Sequence, residues 1–243
     1  MKIIVNGDDF GMRDTINESI VELVEAGIMS SATIMVKRDG GAFNRAVREA
    51  KRLSNRASFG LHLDLDEFFL FDETGHFGND EYDRAENFQE IISVKKEIIR
   101  KDIILQIKSL RGCGITISHI DGHHFIHQFL EVLELIVPLL REQSISAMRF
   151  HRDFYRTQDN RERAESIIRK NEVRTPGAFF DLGRIASGTA PAWGSGIAEV
   201  MAHTEIEDHG YGRLGQYHFL RNGGLGGVRA TFHDLEFSVD MFT

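Results

Sequence analysis

Apolar runs of strand length alternate with amphipathic segments of helix length through the first 65 residues, and that alternation narrows the folds open to this chain. Lys2-Ile3-Ile4-Val5 reads as a first buried strand. Thr15 with Glu18 three residues on is a capping-box signature, Ile16, Ile20, Leu23 and Val24 recur at helical spacing, and Gly27 ends the helix. Ser31 to Val36 reads as a second strand, Gly40-Gly41 as a break, and Phe43, Val47, Ala50 and Leu53 as the apolar stripe of a second helix. Ser58 to Leu65 is a third strand carrying His62 and Asp64. A strand–helix–strand–helix–strand order implies a parallel sheet with helices on its faces. Such sheets gather functional groups at the carboxyl ends of their strands.

The remaining chain continues the pattern. Residues 66–86 mix Phe68, Phe69, Phe71 and Phe77 with Asp, Glu and Gly in no clean period, which suits a lid or insertion. Residues 87–111 form an amphipathic helix through Ile91, Ile92, Ile98, Ile99, Ile103, Leu105 and Leu110, stopped by Gly112 and Gly114. Ile115 to Asp121 is a fourth strand, Phe129 to Gln143 a helix with Pro138 placed to kink it, and Ser146 to Phe150 a fifth strand. Asn160 to Asn171 is a polar helix, Val173 to Asp181 a short strand with a turn at Pro176-Gly177, and Ile197 to Ala202 a late strand that delivers His203. Residues 209–227 carry no assignable period, and Leu235 to Phe242 form a short closing element. No repeat or linker divides the chain, so residues 1–243 are read as one barrel-like α/β domain with six or seven strands.

Composition sets the outer limits. With 29 basic and 37 acidic side chains the net charge is −8, which argues against general nucleic-acid binding. The single cysteine, Cys113, reads as a small buried residue or bystander. No cationic and apolar leader precedes the first strand, and no apolar run reaches the roughly 20 residues that span a bilayer. The expectation is a cytoplasmic protein with no membrane partner.

Asp8 and Asp9 sit side by side where the first strand ends. Charged carboxylates are seldom buried without a partner, so the pair requires a cation, a metal or a shared proton. His62 follows a second strand, and four of the eleven histidines, His119, His123, His124 and His127, crowd the end of a third. His123 and His127 are four apart and would share a face if the segment were helical. Two histidines with one carboxylate are a common set for a catalytic divalent ion, which leaves positions open for water and substrate. Adjacent Asp residues most often form a solvated turn, and isolated histidines such as His76, His209 and His218 read as surface or loop residues and not as ligands. Three such groups after three separate parallel strands are what favours a metal site. Asp121 is placed to orient His62 or His123, or to serve only as a strand-end turn residue.

Asn6-Gly7-Asp8-Asp9-Phe10-Gly11, Gly60-Leu61-His62-Leu63 and the run His119-Ile120-Asp121-Gly122-His123-His124-Phe125-Ile126-His127 resemble the three signature segments of the YdjC-like carbohydrate deacetylases. The resemblance covers residue 2 to about 205. It implies a distorted, TIM-like (β/α) barrel with about seven parallel strands. It implies one divalent ion, Mg2+, on Asp9, His62 and His123, a ligand set that would suit Zn2+ as the alternative. It makes Asp8 the acid–base partner of a metal-activated water. Met148-Arg149-Phe150 resembles a family segment whose Arg faces the active site, and Val200-Met201-Ala202-His203 one whose His protonates the leaving amine. On that basis Arg149, His124 and His127 are candidate substrate-binding residues, with Asp8 and His203 catalytic. The chain departs from the family at Phe125, where a further His is common, and after His203, where Thr204-Glu205 stands in place of Pro-Gly. The part with Gly223-Gly224 and Gly226-Gly227 matches poorly.

The function expected is hydrolysis of the acetamide of N-acetylated amino sugars or short chitooligosaccharides. Phe68, Phe69, Phe71, Phe179, Phe180 and Trp193 could offer faces to sugar rings, and Arg149 with Arg152 could hold a phosphorylated sugar. The same ligands would serve a barrel phosphoesterase with a second metal recruited by Asp121 and His124 or His127. A catalytically silent sugar-binding barrel is the third reading, disfavoured because a binding module has no need of a paired base and metal ligand. A homodimer is compatible with a barrel of this size.

Overall fold

The computed structural model describes residues 2–37, 40–69, 81–189, 196–210 and 212–236, with only the backbone described for 81–89. In chain order the elements are β1 (Lys2–Phe10), α1 (Asp14–Glu25), β2 (Ser31–Ile34), α2 (Gly40–Arg52), β3 (Ser58–Leu63), α3 (Glu81–Gly112) and β4 (Ile120–Gly122). There follow α4 (Leu130–Glu142), α5 (Gln158–Lys170), β5 (Ala178–Asp181), α6 (Leu182–Ala186), β6 (Ile197–Ala202), α7 (Arg213–Arg221) and β7 (Val228–Arg229).

The strand order is β4-β3-β2-β1-β6-β5, with β7 beside the start of β1, and every pairing is parallel. β1 is the axis of this sheet. Its residues Ile3, Ile4 and Val5 are fully buried, as a strand covered on both faces requires. Two isolated parallel bridges, Ile120 to Met148 and Ala147 to Arg174, carry the curvature past β4. The sheet therefore curls into a TIM-like half-barrel, built from the parallel strands that the alternating pattern implied.

Helices close the outer face. Ile99, Ile103, Ile107 and Leu110 of α3 are completely buried. Burial of such a side chain stabilises by about 1.5–3 kcal/mol each. Ile98 and Leu105, read as part of the same stripe, lie on the opposite face at 59% exposure each. Pro138 stays inside an unbroken α4 on its exposed face. The capping box at Thr15 is not formed: α1 begins after Arg13, and the Thr15 hydroxyl donates to Glu205 instead. Residues 146–150, expected as a full strand, are held only by the isolated bridges. The unassigned stretch 209–227 contains α7. Expectations on Phe71, His76, Phe77, Trp193 and the end of the closing element fall outside the described residues. No helix among the described residues is long and apolar enough to cross a membrane.

Candidate active site and metal position

The site begins with an irregularity in β1. The register against β2 shifts between Gly7 and Phe10, and Asp9 takes a left-handed backbone conformation with φ of 65°. Successive strand residues normally point to opposite faces. A bulge with one residue in the left-handed region re-aims the chain, and Asp tolerates that region better than most residues. Both Asp8 and Asp9 are thereby buried at the same strand end.

Asp9 Oδ1 lies 3.2 Å from His62 Nε2 and 3.0 Å from His123 Nδ1. Its other oxygen, Oδ2, accepts from Arg213 Nη2 at 2.6 Å. His62 is oriented from behind, because its Nδ1 is 2.7 Å from Asp121 Oδ1, and Thr33 donates to Asp121 Oδ2 at 2.9 Å. A close approach makes room for this layer: a Cβ on Gly60 would lie 2.6 Å from His119 Cε1 and from the His119 carbonyl.

Asp8 faces a different partner. Arg149 Nη1 and Nη2 donate to its two oxygens at 2.7 Å each, and Asn6 Nδ2 donates to Oδ1 at 2.8 Å. Arg149 is fully buried and also reaches Asp121 Oδ2 at 2.9 Å and Glu199 Oε1 at 2.7 Å. Burial opposes the charge on Asp8, but the guanidinium outweighs it and holds the carboxyl far below the usual range. For Asp9, burial is likewise outweighed, by the imidazoles of His123 and His62. Glu199 goes the other way, since burial dominates over Arg149 and pushes it up to about 7.

His203, at the end of β6, stands at the open side. Its Nε2 is 3.9 Å from Asp8 Oδ2 and 4.0 Å from Asp9 Oδ2, and its backbone N–H donates to Gln216 Oε1 at 2.9 Å. Burial lowers its pKa.

A divalent ion fits this arrangement. Asp9, His62 and His123 offer ligand atoms all within 4.8 Å of one another. Asp9 Oδ1 and His62 Nε2 are buried and make no hydrogen bond. Buried polar atoms left this way are costly, and a shared cation would satisfy both. The second nitrogen of His62 is already turned to a carboxylate, the usual support of a metal-bound imidazole.

The structure brings Asp8, Asp9, His62, His123 and His203 together. Arg149 is at the same place, but each of its three nitrogens is committed to a carboxylate, and it presents no donor to solvent. An anion-holding role for Arg149 finds no exposed group to carry it. The segment after β4 is not a regular helix, because His124 and Phe125 have positive φ values of 53° and 55°. His127 is consequently fully buried against Gln128, with Nε2 2.7 Å from Gln128 Nε2, and does not line an open groove. His124 stays half-buried beside His123, with ring centroids 3.9 Å apart, and burial pushes its pKa down to about 4. Arg152, the other candidate anion holder, is bound through Nε to Glu165 at 2.7 Å. Sequence reasoning missed Arg213 and Glu199. Arg213 lies 204 positions from its partner Asp9, in a stretch without period. Glu199 is a lone acid inside an apolar strand, and that anomaly is the one signal that could have marked it.

A parallel α/β half-barrel with a histidine–carboxylate cluster on its carboxyl rim is the class that fold and site define. The chain belongs to the YdjC-like family, whose model matches residues 2–222. A carbohydrate deacetylase of Brevibacillus brevis is 32% identical over 153 residues, which are 60% of this chain and 58% of that protein. This match thus spans less than two thirds of the relative's length. One of Thermoanaerobacter pseudethanolicus is 26% identical over 239 residues, 90% of this chain and 87% of that protein. Among solved structures, a proposed cellobiose-phosphate cleavage protein of Enterococcus faecalis superposes with a TM-score of 0.69, covering 96% of this chain and 97% of the other at 21% identity. At that identity the likeness speaks for the fold alone.

Proposed function

We propose that this chain is a metal-dependent hydrolase that removes acetyl groups from N-acetylated amino sugars or short oligosaccharides. The observation that carries the reading is the convergence of Asp9 Oδ1, His62 Nε2 and His123 Nδ1 beside a second, separately held carboxylate, Asp8. The kinship to proteins named carbohydrate deacetylase supplies the substrate class. Asp9, His62 and His123 would hold one divalent ion, which when bound lowers the pKa of water and polarises an acyl oxygen. Magnesium is the ion that the family resemblance implies, and two imidazoles with one carboxylate suit zinc equally well.

Asp8 takes the proton from the attacking water. It is ionised throughout the working pH range, and Arg149 and Asn6 fix its orientation. So weak a base must pass the proton on. His203 is the nearby side chain with access to solvent, at 28% exposure, and its Nε2 is 3.9 Å from Asp8 Oδ2. Its lowered pKa makes it neutral near pH 7, ready to accept a proton and give it to the departing amine. Asp121 keeps His62 in one orientation, and Arg149 ties Asp8 and Asp121 into one unit.

The test is acetate release from N-acetylglucosamine oligomers, with and without a 6-phosphate, after chelation and add-back of magnesium or zinc. Release that returns with the ion supports the reading, and no acetate with any ion discards it. Since Arg149 and Arg152 are engaged with carboxylates, the neutral sugar is expected to turn over at least as well as its phosphate. A second reading has one observation in its favour: Asp66, His123 and His124 also offer ligand atoms within 4.8 Å. A second ion there would suit a phosphoesterase, and two ions bound per chain would favour it.

A further inference from the structure

His203 is held by its backbone and not by its ring. Its Nε2 stands 3.9 Å from Asp8 Oδ2 and 4.0 Å from Asp9 Oδ2, and the imidazole makes no hydrogen bond among the described residues. The chain leaves β6 at Ala202, so the ring goes where residues 203–206 are put. On one side the His203 N–H donates to Gln216 Oε1 of α7 at 2.9 Å. On the other comes Thr204-Glu205, the pair at which this chain departs from Pro-Gly.

Both of these residues are completely buried, and both are tied to α1. The Thr204 and Ser19 hydroxyls share a hydrogen bond of 2.6 Å. Glu205 Oε1 accepts from the Thr15 hydroxyl, and lies 2.9 Å from His209 Nδ1 and 3.6 Å from Arg13 Nη1. The next N–H, that of Ile206, donates to the Thr15 carbonyl at 3.5 Å. Three consecutive residues after His203 are thus fastened to the start of α1.

This clamp is poorly suited to stability alone. A buried carboxylate is costly, and Glu205 Oε2 makes no hydrogen bond among the described residues. Arg13 and His209 are surface groups, at 36% and 42% side-chain exposure, and exposed pairs contribute little. The N-terminal end of a helix favours a negative charge, which explains why an acid is tolerated here but not what it supplies. What it supplies is a fixed exit for the chain directly after His203. Proton transfer needs a donor within hydrogen-bond reach of the leaving nitrogen, and a ring with no hydrogen bond of its own depends on its backbone for that. The geometry points to Glu205 as a positioning residue for His203: by locking residues 204–206 onto α1 it sets where the imidazole stands relative to Asp8. The kinetic half of this inference rests on the deacetylase reading, whereas the hold on the ring does not.

The test is a double-mutant cycle on acetate release from N-acetylglucosamine oligomers, with Glu205→Ala, His203→Ala and both together, each checked for folding by circular dichroism. Thr15→Val removes the hydroxyl at nearly constant size and is run beside them as a milder break of the same clamp, which serves if Glu205→Ala does not fold. Glu205→Ala should lower kcat about tenfold or more with KM little changed. It should cost nothing further in the His203→Ala background, as expected of a residue that acts through another. Glu205→Gln keeps an acceptor for Thr15 and should recover most of the loss. Hydrolysis of 4-nitrophenyl acetate, whose leaving group departs without a proton, should fall less than about threefold. The NMR signal of the His203 imidazole C–H, assigned by its disappearance in His203→Ala, reads the ring without turnover and should broaden or split in Glu205→Ala and in Thr15→Val. A loss additive with His203→Ala, an equal loss on the ester, or a ring signal identical in wild type and variants overturns the inference. A disturbed ring signal with no acetate from any sample, wild type included, upholds the clamp and sinks the deacetylase reading. Acetate release with an undisturbed ring signal does the reverse.

Discussion

Two buried arginines flank the Asp pair, and they are supported in opposite ways. Arg149 is fully enclosed, with Asp8, Asp121 and Glu199 on its three nitrogens. Arg213 is 9% exposed and reaches Asp9 through Nη2, while its Nε and Nη1 make no hydrogen bond. The first is a structural hub whose removal strands several charges at once. The second acts on one carboxylate and can be altered alone. Neighbouring residues in sequence, Asp8 and Asp9, thus answer to different arginines. That separation is what lets one hold an ion and the other handle a proton.

The hub should be the harder of the two to break. Arg149→Met leaves Asp8, Asp121 and Glu199 buried without their cation, and is expected to cost at least about 3–5 kcal/mol. Urea unfolding measures it, and a loss under about 1 kcal/mol would mean that Arg149 is not the hub. Asp8→Asn removes the base and keeps one of its two acceptor oxygens, the amide nitrogen being a donor that cannot take the place of the other. Turnover should fall about 10²–10⁴-fold with ion binding retained; near-normal turnover would exclude Asp8 as the base.

Glu199 tests the hub through pH. Its native pKa is raised to about 7 from an ordinary 4.5, so the folded state binds more protons between those values. The penalty for burying its charge is absent below the lower value and grows as pH rises through the window. Glu199→Gln keeps an acceptor for Arg149 and removes the penalty. The variant should gain about 1 kcal/mol or more relative to wild type between pH 4.5 and 8, read as a growing difference in Tm. A constant difference would show that Glu199 is ionised throughout.

Arg213→Gln probes the second arginine. Losing one hydrogen bond to Asp9 costs about 1 kcal/mol of orientation. Removing a positive charge held 2.6 Å from Asp9 Oδ2 relieves more repulsion toward a divalent ion on the same carboxylate, on the order of 4 kcal/mol per unit charge for charges ~4 Å apart near a protein surface, before screening. The charge effect wins, so the variant should bind the ion several-fold more tightly. Weaker binding in calorimetry would assign Arg213 an orienting role instead.

Local pattern made part of this legible. β6 runs over the residues its apolar composition marks, Ile197–Ala202, and β1 and β3 begin where expected. Asp9, His62 and His123 could be grouped because each ends a parallel strand. What stayed hidden depends on contacts made far along the chain or on unusual backbone. Thr15 spends its hydroxyl on Glu205, 190 positions away, instead of capping its helix. The left-handed turn at His124 and Phe125 sends His127 into the interior, which an i, i+4 count could not foresee. Arg149 looked like an anion holder because its three acidic partners come from three other segments.

The central claim is that Asp9, His62 and His123 hold one ion. Equilibrium dialysis of chelator-stripped protein against zinc or magnesium, wild type beside His123→Ala, tests it most directly. The account predicts one ion bound per wild-type chain and none in the variant. Two ions per chain, or undiminished binding by the variant, would contradict it.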